Sequence, residues 1–276
     1  MHVHHLNTAT MCPLGARFIH GVGSPLRRGR LVCHTLLLER PDGLVLVDGG
    51  LGEGDLADPS RLVDRSWRFM AAPRLDPQET ALAQVRALGF SPSDVRHVVL
   101  THLDVDHAGC VPDFPWATVH VHEREFAAAL EPATRGERRR YVPAQIPDAA
   151  RVRSYADGGE AWQGFVGARM LDDKDPDVVL VPLPGHTRGH CGVAVRGDRG
   201  WLFHAGDSYF FHGQVAPEPW VPRVLGWFQR GGDVEREARV QNQARVRTFA
   251  LAHPEVRVFC SHDAVEFDRA VTAAAG

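Results

Sequence analysis

The stretch THLDVDHAGC, residues 101–110, places two histidines and two aspartates within six positions, as His102-x-Asp104-x-Asp106-His107. All four side chains carry metal-ligating atoms, and they directly follow the apolar run VRHVVL. A β-branched apolar run ending in such a cluster reads as a buried strand that delivers the hexad into the loop at its C-terminal edge. Alternate residues of an extended or tightly turned segment project to one side, so this spacing lets several of the four converge. Three later positions repeat the arrangement: His186 in LPGHTRGH, Asp207 in HAGDS and His262 in FCSHD. Each comes just after an apolar run, where an α/β sheet presents its functional loops.

The rest of the chain is consistent with that frame. LVCHTLLL (31–38) and GLVLVDGG (43–50) read as paired strands joined by a turn at Pro41-Asp42-Gly43. Residues 77–88 read as a helix, with Pro77 and Glu79 near its start and Gly89 after its end. HVVLT (97–101) is the strand before the hexad. In the second half, VVLVPLP (178–184), CGVAVR (191–196) and WLFHAGD (201–207) look like consecutive strands. A helix over about 233–252, a strand at VRVFC (256–260) and a closing helix follow. Strands and helices thus alternate in two comparable halves. Between them, residues 111–176 are irregular and rich in Pro, Arg and aromatics, and read as an insertion with one or two helices, either a lid or a surface elaboration.

Composition excludes several classes. At 276 residues, with 44% hydrophobic and 24% charged residues, the chain has the makeup of a globular protein. A formal charge of −3 gives no polyanion-binding signature, and the basic cluster Arg135, Arg138, Arg139 and Arg140 reads as a solvated helix face. No nucleic-acid partner is expected. No apolar run approaches the roughly 18 residues that cross a bilayer, and the N-terminus lacks the pattern of a secretory signal. The five cysteines are odd in number and widely spaced, which suits reduced thiols in a cytoplasm. No G-x-S-x-G is visible, so a serine hydrolase is not expected.

Taken together, the Asp48-Gly-Gly turn, the hexad, His186, Asp207 and His262 make the chain similar to the metallo-β-lactamase superfamily, in its dinuclear branch. LPGHTRGHCGV, HAGDSYF and the late Ser-His-Asp resemble the N-acyl-homoserine-lactone lactonases most. The resemblance covers nearly the whole chain. It implies an α/β fold, a four-layer αββα sandwich over residues 1–276 as one domain, with the segment 111–176 inserted as a lid. It implies two divalent metal ions. The first would be held by His102, Asp104 and His186, and the second by Asp106, His107 and His262, with Asp207 bridging them beside a water or hydroxide. Zinc is the metal the resemblance implies. Two cations about 3.5–4 Å apart acidify a shared water and polarise a carbonyl. The implied function is hydrolysis of a carbonyl ester in a small molecule, most naturally a lactone, with Asp106 or Asp207 accepting the water's proton and Tyr209 or Arg188 orienting the substrate.

The chain departs from the family pattern twice. The superfamily mostly has H-x-H-x-D-H, and this chain has Asp104 at the second position. Two dications, three aspartates and one hydroxide cancel, where a histidine would leave one positive charge. A harder, more anionic pocket favours iron or manganese and weakens the metals as Lewis acids. The flavodiiron oxygen reductases also carry a carboxylate there, so a diiron redox module served by a partner flavoprotein is a second reading; a mononuclear site with Asp104 turned away is a third. A thioesterase, β-lactamase or phosphotriesterase would share the same ligands. The second departure is Phe210, where the lactonases carry tyrosine; Tyr209 precedes it, and adjacent residues of an extended segment face opposite ways.

Among the remaining candidates, Asp48 is expected to hold a ligand loop through hydrogen bonds. His190 and His204 read as site-lining or structural. His2, His4 and His5 lie near one another with no carboxylate beside them in the sequence. Cys110 and Cys260 read as small buried hydrophobes. The oligomeric state is open, a homodimer included.

Overall fold

Strands whose apolar side chains alternate strictly between two faces build two sheets that stack. The computed structural model describes residues 1–63, 65–172 and 175–275. Residues 64, 173, 174 and 276, which fall within the expected domain span and in two cases within the expected insertion, lie outside the described residues. The first sheet runs β1 (His2–Met11), β2 (Leu31–Arg40), β3 (Gly43–Val47), β4 (Val95–Val99), β5 (Thr118–His122) and β6 (Val152–Tyr155), hydrogen-bonded in that order. The second runs β12 (Arg257–Phe259), β11 (Gly200–His204), β10 (Cys191–Gly197), β9 (Asp175–Pro182), β8 (Phe165–Asp172) and β7 (Glu160–Trp162).

The period of two decides what each face buries. Leu36, Leu38, Val45, Val47 and Val99 of the first sheet pack against Val178, Leu180, Val193, Val195 and Phe259 of the second, filling the space between them. The intervening residues Leu37, Leu44, Leu46 and Val98 face outward, onto the helices Ala81–Ala87 and Glu123–Leu130. On the far side, Val179, Val181, Ala194 and Phe203 meet Val246 and Phe249 of the helix Arg236–Ala252. The result is a four-layer αββα sandwich.

Strand direction then fixes where the site must lie. β4 runs parallel to β3, and β12 parallel to β11. β9 is antiparallel to β10, which is antiparallel to β11, so β9 and β11 share a direction. The residues just past β3, β4, β9, β11 and β12 are Asp48, the hexad, His186, Asp207 and His262, and each sheet delivers its set at a single edge.

Several elements differ from the sequence expectation. The strand expected over 43–50 ends at Val47, because Asp48 takes a left-handed φ of 57° that turns the chain. The helix expected over 77–88 begins as a single 3-10 turn, and Thr80 then caps the helix Ala81–Ala87 by accepting from the Ala83 N–H at 3.2 Å. The helix expected over 233–252 begins at Arg236, after a separate helix Arg223–Gly232. The segment 111–176 supplies β5 and β6 to the first sheet and β7, β8 and the start of β9 to the second; the 3-10 turn Val111–Asp113 and the stretch 123–151, with the helices Glu123–Leu130 and Arg135–Arg140, stand off the sheets. Cross-strand pairing of β1 with β2 puts Glu39 within 2.7 Å of His4, so the N-terminal histidines do have a carboxylate beside them, one that sequence distance concealed. Among the described residues, no helix is long and apolar enough to cross a membrane.

Leu36 lies fully buried between the sheets. Leu36→Ala is expected to lower unfolding free energy by about 2–5 kcal/mol, through lost transfer energy and a cavity that two stacked sheets cannot close. The denaturant midpoint should fall with an unchanged m-value; a shift below about 1 kcal/mol would contradict the tight inter-sheet packing described here.

Candidate metal centre

The hexad does not continue as a strand. After β4 the chain turns through Thr101 and His102, and one helical turn, Val105–Ala108, follows with Asp104 at its N-terminal boundary. That turn gathers alternate side chains that a strand would have spread over about 13 Å. Asp207 follows Gly206, whose φ of 55° and close approach to His190 leave no room for a side chain: a Cβ there would meet His190 Nε2 at 2.4 Å.

All seven residues named in the sequence come together. His186 Nε2 lies 3.1 Å from Asp104 Oδ2 and 3.4 Å from Asp207 Oδ2. His102 Nε2 lies 3.4 Å from Asp104 Oδ2 and 3.8 Å from Asp207 Oδ2. On the other side, His107 Nε2 is 3.5 Å from Asp207 Oδ1, while His262 Nε2 is 3.2 Å from Asp207 Oδ2 and 3.7 Å from Asp106 Oδ2. The ligand atoms of His102, His186 and Asp207 fall within 4.8 Å of one another, and so do those of His107, His262 and Asp207. Asp207 is common to both groups.

Hydrogen bonds behind His102, His107 and His262 hold these three rings with Nε2 toward the centre, whereas among the described residues His186 Nδ1 is buried with no hydrogen-bond partner. Asp48 accepts from the Thr101 N–H at 2.8 Å, from the Thr101 hydroxyl at 2.8 Å and from His107 Nδ1–H at 2.8 Å. The Thr101 oxygen in turn accepts from His102 Nδ1–H at 2.9 Å. His262 Nδ1–H donates to the Val32 carbonyl at 2.8 Å. His190 does not face the centre. Its Nδ1–H donates to the Leu183 carbonyl and its Nε2 accepts the Asp207 N–H at 2.8 Å, so it positions Asp207 through the backbone. His204 is likewise structural: it bonds the His34 carbonyl and accepts the Gly206 N–H.

The electrostatics ask for positive charge. Burial pushes His107 and His262 down, but Asp207 facing both, with Asp48 behind His107, holds them well above the usual imidazole range. Burial likewise pushes Asp104 and Asp207 up. Arg140 and His102 around Asp104, and His262 and His107 around Asp207, overcome it and hold both carboxyls well below the usual carboxylate range. Among the described residues, His102 Nε2, His107 Nε2, Asp104 Oδ1 and Asp207 Oδ1 are buried with no hydrogen-bond partner. Buried orphan donors and acceptors are costly unless something satisfies them. Imidazole and carboxylate atoms so arranged fit divalent cations of the zinc, iron and manganese class.

Several features of the site were not visible in the sequence. Tyr209, a candidate for orienting substrate, is fully buried in the core behind β10 and β11, and its hydroxyl donates to Glu266 at 3.0 Å. In the loop after β11, Phe210 faces the site instead, with its ring edge-on to His262 and His186 at 5.1 and 5.9 Å. Arg188, the other candidate for orienting substrate, pairs with the buried Glu137 carboxylate while 36% of its side chain stays exposed. Arg140, expected on a solvated face, turns inward, with Nη1 2.7 Å from Asp104 Oδ2 and 3.2 Å from His186 Nε2. Cys33 lies within 4.8 Å of the ligand atoms of Asp106 and His262; burial raises its pKa, so at neutral pH it is a thiol. Beside His262, a cavity of about 280 Å³ is walled by Ile19, Leu31, Phe210, Trp220 and Leu225.

Asp48→Asn keeps the shape but weakens the anchor of His107. Metal affinity at that side is expected to fall about 10–100-fold, as for other residues that orient a ligating histidine, read by competition with a chromogenic chelator. A separate consequence concerns Glu266, which burial and the neighbouring Asp263 carboxylate raise to about 8. A carboxyl raised on folding contributes stability that is present below its unfolded pKa and lost as pH rises through 8. Glu266→Gln should therefore flatten the stability decline between pH 5 and 8.5 in denaturant titrations; a parallel curve for both proteins would remove that assignment.

A family profile described as the metallo-β-lactamase superfamily matches residues 28–240. The probable metallo-hydrolase Rv2300c of Mycobacterium tuberculosis is 39% identical over 262 residues, spanning 95% of this chain and 80% of the relative. The N-acyl homoserine lactonase AttM of Agrobacterium fabrum is 31% identical over 239 residues, spanning 82% of this chain and 80% of the relative. Among solved structures, an N-acyl homoserine lactone hydrolase with N-hexanoyl-L-homoserine bound at its catalytic metal centre superposes with a TM-score of 0.71 at 18% identity, over 97% of this chain and 95% of that one. That structural likeness shows a common fold, and the profile and the sequence relatives show the family. The chain belongs to the metallo-β-lactamase superfamily and is a metal-dependent hydrolase.

Proposed function

We propose that this protein is a dinuclear hydrolase of carbonyl esters whose substrate class is a lactone. One observation carries the dinuclear part: Asp207 lies between two histidine pairs, His102 with His186 and His107 with His262, and belongs to both groups. A mononuclear site has no use for a second complete set of buried donors. The first ion would be held by His102, Asp104 and His186, the second by Asp106, His107 and His262, and both by Asp207. When bound, such a pair supplies an acidified water and polarises a carbonyl.

The chain's own residues divide the remaining work. Asp207, buried and fixed by its own N–H on His190, serves as scaffold. Asp106 is more open, with 12% of its side chain exposed, and is the carboxylate placed to take a proton from water and release it to solvent. The apolar cavity beside His262 suits the non-reacting arm of the substrate, and Phe210 forms its boundary with the centre. AttM is named as a lactonase acting on N-acyl homoserine derivatives, and AidC, a structural neighbour at a TM-score of 0.60, as a dizinc lactonase. These relatives support ester opening over thioester, β-lactam or phosphotriester hydrolysis, all of which share the ligand set.

A panel of one lactone, one thioester, one β-lactam and one phosphotriester, each with a matched apolar arm, tests the substrate class. The lactone is expected to give the highest kcat/KM, and turnover should stop on exhaustive chelation and return with added divalent metal. Asp207→Ala should lower kcat/KM roughly a hundredfold or more and reduce bound metal below two per chain. Lactone hydrolysis that survives complete metal removal would sink the reading.

A further inference from the structure

Arg140 is built into the site, yet ester hydrolysis as described does not use it. It ends the helix Arg135–Arg140; Arg135, Arg138 and Arg139 point to solvent, whereas only 13% of the Arg140 side chain is exposed. Its Nη1 donates to Asp104 Oδ2 at 2.7 Å, and its Nη2 donates to the Gly232 carbonyl. His186 lies on one side of the guanidinium and His102 behind the Asp104 carboxylate.

The helix is clamped to both ligand-bearing loops. Thr134 and Glu137 cap its start reciprocally, and Glu137 pairs with Arg188, two residues past His186. At its end, the Tyr141 hydroxyl donates to Glu125, whose two oxygens accept the Leu103 and Gly189 N–H groups at 3.0 Å each. Arg140 is therefore held in place from two directions, unlike a surface arginine that finds a carboxylate by chance.

Three carboxylates, Asp104, Asp106 and Asp207, share one centre with four imidazoles, which would ligate as neutral rings. A carboxylate paired with a guanidinium is neutral as a unit, as an imidazole is. We propose that Arg140 is a positioning residue acting through Asp104: the pair serves the first metal as a neutral donor, and the guanidinium cancels the extra negative charge that Asp104 would otherwise bring. The inference rests on the dinuclear reading. It has a direct consequence for metal choice, because the anionic hardening that would favour manganese or iron is removed.

A double-mutant cycle on metal affinity tests it, with zinc and manganese dissociation constants from chelator competition on the full chain and folding followed by circular dichroism. Asp104→His places an imidazole beside the guanidinium and two dications, and should weaken zinc binding about tenfold or more. Adding Arg140→Met should restore affinity to within about threefold of the parent. Arg140→Lys, which keeps the charge, should stay within about threefold. Arg140→Met alone should move the manganese-to-zinc preference toward manganese by about tenfold. If Asp104→His fails to fold, that last measurement decides by itself. Asp104→His binding zinc like the parent, a double variant no better than the single one, or an Arg140→Met protein with the parental metal preference would overturn the proposal. A parent holding fewer than two metals per chain would instead overturn the dinuclear reading; two metals without coupling would overturn this inference alone.

Discussion

The buried carboxylate of Asp48 is the constraint on which the site depends. It sits at the end of β3, in a left-handed conformation that costs free energy for a residue with a Cβ, and it accepts three hydrogen bonds from Thr101 and His107. Burial alone would raise its pKa; His107 facing it more than reverses that and brings it to about 2. A permanently ionised group thus joins two parallel strand ends and fixes the ring of His107 directly and that of His102 through the Thr101 hydroxyl. Close packing keeps it there. A side chain on Gly49 would meet Cys110 Sγ at 2.0 Å, so the loop after β3 and the one after the hexad approach at backbone distance. The sheet supplies the direction of the loops, and Asp48 converts direction into ring orientation.

What could be read from the sequence follows the same division. The donors were legible because each stands just after an apolar run, and a strand end is a place that hydrophobic periodicity marks. The scaffold of 111–176 was not, because β5 to β7 are short and mixed with Pro, Arg and aromatics, and β5 and β6 join the first sheet only by pairing across more than twenty residues, as between His97 and Thr118. Tyr209 and Phe210 show how one residue of phase decides function: the apolar ring faces the histidines and the phenol goes to Glu266. Arg140 was hidden for another reason. Four arginines in six residues look alike in sequence, and only the cap at Thr134 with the Glu137–Arg188 and Tyr141–Glu125 ties determines which one rotates inward.

Charge balance and shape then act on different halves of the centre. Arg140 touches the group formed by Asp104 and His186, and the apolar cavity adjoins His262 of the other group. A bound ester lying across Asp207 would have its reacting end in the polar part and its apolar arm against Phe210, Trp220 and Leu225. Burying an apolar arm yields about 25 cal/mol per Å², independent of which carbonyl chemistry follows, so the cavity tunes affinity more than reaction type.

That separation bears on Asp104. A carboxylate donor taken alone points to a harder metal and a weaker Lewis acid, which is the chemistry that relates the hexad to iron-holding redox centres. The 2.7 Å contact with a largely buried guanidinium changes the sum, because a buried arginine remains charged and its partner therefore acts as half of a neutral pair. The identity of a ligand is then insufficient to predict the metal. The relevant unit is the ligand with the charges that touch it, and in this chain that unit spans Asp104 and Arg140, thirty-six positions apart and brought together by the helix that the basic run forms.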